Sequence, residues 1–120
     1  MIPDVNSSTK RVYANYRHDL ALYEKLHTQT KVYIRKNRID LVAKMCANML
    51  QKSCFDLYNE IADFKNKIES AGIGPVCLSG SGSAMFCIFY GRDKKKARQS
   101  KRKLEERICC RSVIVSNNRW

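Results

Sequence analysis

The sequence predicts an α+β domain in which a small antiparallel sheet packs against helices on one face. Three observations predict it. Helical periodicity dominates the first 70 residues, a Gly-Ser loop then separates two apolar runs, and a basic helix and a last short apolar run follow. The order is helices, then β-loop-β, then α-β.

The opening segment, Met1 to Thr9, reads as extended chain ending in a Ser/Thr cap, because those hydroxyls satisfy free N–H groups of a first turn. A short helix over about 8–16 follows. Leu20, Tyr23, Leu26 or His27, Thr30 and Tyr33 recur every three to four residues, predicting a helix over about 18–36 with that face turned inward. Asn37 and Asp40 mark a further start, after which Ile39, Val42, Met45, Cys46, Met49 and Leu50 keep the period. Another long helix is predicted over about 54–70 from Leu57, Tyr58, Ile61, Phe64 and Ile68, with Gly72 and Gly74-Pro75 as its stop. Beyond Pro75, residues 76–78 and 84–90 read as strands joined by the loop 79–83. Asp93 can cap a helix to about residue 107 with Ala97, Leu104 and Ile108 inward, and 112–115 supplies a third strand. Three short strands make a narrow sheet, so we expect a strand from before residue 1 or a partner on the sheet edge.

The 120 residues suit one domain, 1–120, and the hydrophobic content of 44% exceeds that of a disordered charged tail. The apolar runs fall far short of the roughly 20 residues of a membrane span, and no secretory leader pattern opens the chain. The expectation is a cytoplasmic protein without membrane contact. Six cysteines (Cys46, Cys54, Cys77, Cys87, Cys109, Cys110) sit mostly inside apolar periodic segments with no CxxC spacing, and read as small core residues or free thiols. Vicinal Cys109 and Cys110 lack sequence neighbours that would complete a metal or redox site. No metal site is expected. A net charge of +12 favours polyanions in general; residues 92–111 hold ten Lys or Arg against Asp93, Glu105 and Glu106.

The segment with most chemical content is Gly74-Pro-Val-Cys-Leu-Ser-Gly-Ser-Gly-Ser-Ala-Met-Phe86. Residues without a β-carbon let backbone N–H groups approach a phosphate, and Ser hydroxyls add donors. The same residues also make a plain hairpin turn, and the residues alone leave both readings open. It is neither a P-loop nor a dinucleotide fingerprint. His18 and His27, nine residues apart without a paired carboxylate or Ser, read as solvated or packed histidines.

Strand, Ser-Gly-Ser-Gly-Ser, then Ala-Met-Phe resembles the third glycine-rich motif of the GHMP kinases, in their C-terminal domain. Pro3-Asp-Val-Asn-Ser-Ser-Thr-Lys-Arg-Val-Tyr13 is similar to the segment that opens that lobe in the branch acting on a diphosphocytidyl-methylerythritol in non-mevalonate isoprenoid biosynthesis. Ala47-Asn-Met-Leu50 and Asp56-Leu-Tyr-Asn-Glu-Ile61 are similar to the helices that precede the motif. The resemblance implies a ferredoxin-like C-terminal domain and a phosphotransferase that uses ATP and Mg2+ on a cytidine diphosphate derivative. It implies that Tyr13 stacks on the cytosine with Thr9 on the same pocket wall, and that Gly80, Ser81, Gly82 and Ser83 line the diphosphate. The N-terminal lobe with the Pro-x-x-x-Gly-Leu-Gly-Ser-Ser ATP loop and the catalytic Asp and Lys has no counterpart here, so this chain alone is expected to be inactive and to carry no catalytic residue. Lys10 and Arg11 stand where a proline commonly precedes the aromatic.

The rival from another class is a basic module that holds RNA or another polyanion on the strip 92–111. That strip lacks interleaved aromatics for base stacking and carries no RNA-binding motif, so a nucleic-acid partner is the weaker expectation.

Overall fold

The computed structural model describes residues 1–90 and 93–116. Arg92, the first residue of the basic strip, lies outside them. Helix α1 is Thr9–Ala14, capped as expected: Ser8 Oγ accepts from the Arg11 N–H at 3.4 Å. Val12 is fully buried and anchors this helix, whereas Tyr13 is 60% exposed. Helix α2, Leu20–Arg35, starts at Asp19, whose carboxylate accepts from the Leu22 N–H at 2.8 Å.

The face of α2 expected to turn inward does so only in part: Leu26, Thr30 and Tyr33 are half-buried, but Leu20 is 58% and Tyr23 44% exposed, and no residue of α2 is fully buried. Periodicity says which residues share a face, but not what that face meets. Here the rings meet one another. His18 lies edge-on to Tyr16, and Tyr23 stacks on His27 with centroids 5.6 Å apart.

Helix α3 is Ile39–Met45, with Arg38 and Asp40 in a two-pronged pair at 2.8 and 2.7 Å. The pattern predicts helix through Leu50, but Cys46 adopts a left-handed conformation (φ 47°) and ends it. Cys46 is also disulfide-bonded to Cys77, their Cα atoms 4.8 Å apart, which corrects for these two the reading of the cysteines as small core residues or free thiols; Cys54, Cys87, Cys109 and Cys110 are free. The pairing was illegible because both residues sit in apolar runs 31 residues apart and meet only through the tertiary fold.

The long helix predicted over 54–70 is two, α4 Gln51–Leu57 and α5 Asn59–Ser70. Tyr58 breaks them with a non-helical backbone (φ −138°, ψ 79°). Its hydroxyl accepts from the Ser8 N–H at 3.0 Å and its ring lies under the Arg11 guanidinium, so the break ties α1 to the helical layer. The periodic residues nevertheless keep their roles, with Ile61 and Ile68 fully buried. Each contributes about 1.5–3 kcal/mol by leaving water.

Strand β1, Cys77–Leu78, pairs antiparallel with β2, Met85–Phe86, Cys77 opposite Phe86 and Leu78 opposite Met85. The predicted second strand is cut to two residues, and 112–115 forms no strand. Arg111 makes only an isolated bridge to Ile2, and Val113 and Val115 are 75% and 83% exposed. A strand is a pairing, and among the described residues 112–115 have no ladder partner beyond the bridge at Arg111. Helix α6, Lys94–Lys103, runs into a π-helical turn, Leu104–Ile108; Leu104 is buried, and Ala97 and Ile108 are half-buried as expected. Asp93 precedes α6 without a side-chain cap bond; its carboxylate lies 3.7 Å from Lys96 Nζ instead. The core joins Val12, Cys54, Ile61, Ile68, Val76, Leu78, Met85 and Leu104, so the helices cover one face of the sheet in an α+β arrangement.

Candidate functional site

The loop between β1 and β2 is a tight turn. Gly82 N–H donates to Ser79 O at 2.9 Å and Ser79 N–H to Ala84 O at 2.8 Å. Gly80 and Gly82 have φ of +56° and +87°, values that favour glycine. At Gly82 space is short as well: an added Cβ would lie 2.9 Å from Cys54 Sγ and 3.3 Å from both Leu78 Cδ1 and Ser7 Oγ. At Gly80 nothing lies within 4 Å. Burial pushes the Cys54 thiol pKa up, so the sulfur beside Gly82 is a packing group and not a thiolate.

Asn48 supports the turn from below. Its amide donates to Leu78 O at 2.9 Å and Gly80 O at 2.8 Å, while its Oδ1 accepts from the Leu50 N–H at 2.9 Å. With two carbonyls turned toward Asn48, the N–H groups of Gly80, Ser81 and Ser83 have no protein acceptor among the bonds of the described residues outside helices and strands. Three donors in one turn suit an anion.

The end of α1 meets this turn. Thr9 Oγ1 and Ser81 Oγ are 2.9 Å apart, a hydrogen bond between residues 72 apart in sequence. Tyr13 stands one helical turn beyond Thr9, exposed. Thr9 is thus in contact with the turn at Ser81, and Tyr13, four residues on, shares the Thr9 face of α1.

The family profile described as GHMP kinases C terminal matches residues 30–108. The chain belongs to the GHMP kinases. It is similar over 105 residues, at 29% identity, to a 4-diphosphocytidyl-2-C-methyl-D-erythritol kinase of Clostridium botulinum (strain Eklund 17B / Type B), a match covering 88% of this chain and 37% of that protein. It is 42% identical over 45 residues to the kinase of the same name from Protochlamydia amoebophila (strain UWE25), covering 38% of this chain and 16% of the relative. The chain therefore spans well under half the length of the curated relatives it matches. No solved structure matches it significantly.

In this GHMP C-terminal domain two polar residues of the site escape sequence reasoning. Ser7 Oγ is buried without a hydrogen-bond partner among the described residues and lies against Gly82. Ser7 falls in the Pro3–Tyr13 segment of the resemblance, which assigns it no role. Asn48 falls in the Ala47–Leu50 segment, but the pattern places it on a helix. It acts from the loop that the early end of α3 creates.

No three His, Cys, Asp or Glu side chains among the described residues come together so as to hold a metal ion. The residues of this site, Thr9, Tyr13 and Gly80 to Ser83, carry no carboxylate and do not fit Mg2+. His18 has its Nδ1 bonded to the Tyr16 hydroxyl at 2.8 Å. Among the described residues no helix is long and apolar enough to cross a membrane.

Proposed function

We propose that this chain is the substrate-binding lobe of an ATP-dependent kinase that phosphorylates a cytidine diphosphate derivative in the cytoplasm. The supporting observation is the Thr9–Ser81 hydrogen bond, which joins the opening segment to the glycine turn. In this reading the Tyr13 ring stacks on the cytosine, Thr9 bounds the pocket, and the free N–H groups of Gly80, Ser81 and Ser83 hold the diphosphate. Gly82 gives the turn its shape. Donors fixed in place before the anion arrives stabilise charge without reorganising, which is the main protein contribution to phosphoryl transfer. ATP, Mg2+ and the catalytic Asp and Lys belong to a further lobe, so the chain alone turns over no substrate.

The names of the two relatives support the choice of substrate. An amide NMR titration with CDP, with ADP and magnesium, and with a short single-stranded RNA tests it. CDP should shift Thr9, Tyr13 and Gly80 to Ser83, and Tyr13→Ala should weaken CDP binding about tenfold by loss of stacking. If RNA moves residues 94–107 while CDP leaves the turn untouched, the proposal fails.

That second outcome is the polyanion reading, and one observation favours it: α6 is a basic helix that buries no residue. Against it, Lys101 and Arg102 are engaged by Glu105 and Glu106 at 3.0 and 3.2 Å. The sequence of α6 also offers no ring on which a base could stack.

A further inference from the structure

Helix α3 stops where its own sequence would continue it. Ile39, Val42, Met45, Cys46, Met49 and Leu50 keep one helical period, and Ala47, Met49 and Leu50 are good helix formers. Yet Cys46 takes a left-handed conformation (φ 47°), a helix ending that glycine or asparagine ordinarily makes. In another residue such a backbone persists only where the surrounding structure holds it. Two ties do so here. Cys46 is bonded through its sulfur to Cys77 in β1, and two residues on the Asn48 amide donates to Leu78 O at 2.9 Å and Gly80 O at 2.8 Å.

The two ties are unequal. An intramolecular hydrogen bond replaces one to water and so holds weakly, whereas the S–S bond has no such substitute. A second backbone arrangement also competes for the same groups. The Leu50 N–H would bond Cys46 O in a continued helix, but Asn48 Oδ1 takes it at 2.9 Å instead. Carrying the helix through residue 48 changes the backbone at 46 and 47, and so moves the Asn48 amide off the carbonyls it now holds. The disulfide therefore decides between the two arrangements. It is approached from one end, since Cys46 is half-buried and Cys77 only 3% exposed.

We propose that the Cys46–Cys77 disulfide is a redox switch on the glycine turn. Closed, it stops α3 at residue 46 and keeps Asn48 beneath Leu78 O and Gly80 O. Opened by a dithiol reductant, it frees α3 to run on through residue 48, and the turn loses its support. In that reaction a thiolate of the reductant attacks the sulfur of Cys46, the less buried of the two residues, and the S–S electron pair leaves on Cys77, which takes up a proton. The second thiol of the reductant then attacks the mixed disulfide. Cys46 leaves as a thiolate and is protonated, and the reductant ends as a disulfide, so two electrons and two protons pass to the protein. Disulfides of proteins in reducing compartments are mostly of this transient, sensing kind. The loss of ligand affinity on opening rests on the reading of this turn as the diphosphate site; the change in α3 and in the turn does not.

The test compares the full chain oxidised, reduced with dithiothreitol and re-oxidised with glutathione disulfide, beside the double variant Cys46→Ala with Cys77→Ala, which is open throughout. On reduction the α-carbon chemical shifts of Ala47 and Asn48 should move to helical values. The Gly82 N–H, which bonds Ser79 O, should exchange at least about tenfold faster through an opening that urea does not accelerate. CDP should bind about tenfold more weakly, because donors no longer fixed in place must reorganise, and re-oxidation should restore it. The double variant should match the reduced chain with or without dithiothreitol, and Asn48→Ala should bind CDP as weakly oxidised as reduced. Unmoved shifts, or Gly82 exchange accelerated only through global unfolding, overturn the proposal, since the disulfide then acts on stability alone. CDP bound equally tightly by the oxidised and reduced chains overturns it too, as does a response of the double variant to dithiothreitol. If CDP binds neither form while the shifts and the Gly82 exchange respond as stated, the diphosphate reading of the turn fails and the switch stands.

Discussion

At the scale of single residues, Gly80 and Gly82 look alike in sequence and differ in what surrounds them. Both hold left-handed φ values, so alanine at either costs backbone strain of about 1–2 kcal/mol. Only at Gly82 does the new carbon meet a buried sulfur, Cys54 Sγ at 2.9 Å, and crowding of that kind adds about 1–3 kcal/mol. Gly82→Ala should therefore lower unfolding stability by more than Gly80→Ala, measured by urea denaturation. Adding Cys54→Ala to Gly82→Ala should recover part of the loss, so that the two changes cost less together than separately. Equal effects of the two glycine changes would mean that strain alone decides. The sequence shows why glycines stand in this turn, since a phosphate cradle and a hairpin both want them. It does not show that one of the two is also a packing position, because Cys54 arrives from α4.

Among elements, α5 and β1 are tied by one side chain that the helical pattern passes over. Glu69 Oε1 accepts from Lys65 Nζ at 2.7 Å and from the Val76 N–H at 3.0 Å, joining the end of α5 to the approach of β1. Burial pushes the Glu69 carboxyl up, but Lys65 and the Val76 N–H outweigh it and the net pKa falls below the ordinary value. A carboxyl with a lowered folded pKa stabilises fully above its unfolded pKa of about 4.3 and loses that contribution as pH falls through the folded value. Glu69→Gln, which keeps an acceptor but no charge, should cost about 1 kcal/mol at pH 7. That difference from the parent should shrink as pH falls from 5 to 3, read as urea midpoints; a gap unchanged at pH 3 would show the charge to be idle. The helices were largely legible because Ile61, Phe64 and Ile68 repeat at a period that only a helix satisfies. The breaks at Cys46 and Tyr58 were not, since each is made by a distant partner, Cys77 in one case and Ser8 with Arg11 in the other. Strand lengths failed for a related reason: residues 112–115 have strand composition, but a strand is a pairing, and composition does not supply its neighbour.

For the whole molecule, the radius of gyration is 15.2 Å, against about 14 Å for a compact chain of this length. The excess fits the position of α2, which buries none of its residues and packs chiefly on α3. Helix α5, in contrast, places Ile61 and Ile68 in the centre of the core. Stability should then be uneven, because opening α2 exposes little new apolar surface while opening α5 dismantles the core. Native-state hydrogen exchange should show the amides of α2 exchanging at least about a hundredfold faster than those around Ile61 and Ile68, and with little dependence on added urea. Exchange of α2 only through global unfolding would instead mean that α2 is held either by a cover over Leu20, Tyr23 and Ile34 or by its own contacts. Protein concentration distinguishes the two remaining cases: protection that rises with it identifies a second copy on α2, and protection independent of it identifies a helix held by its own ring contacts and by α3.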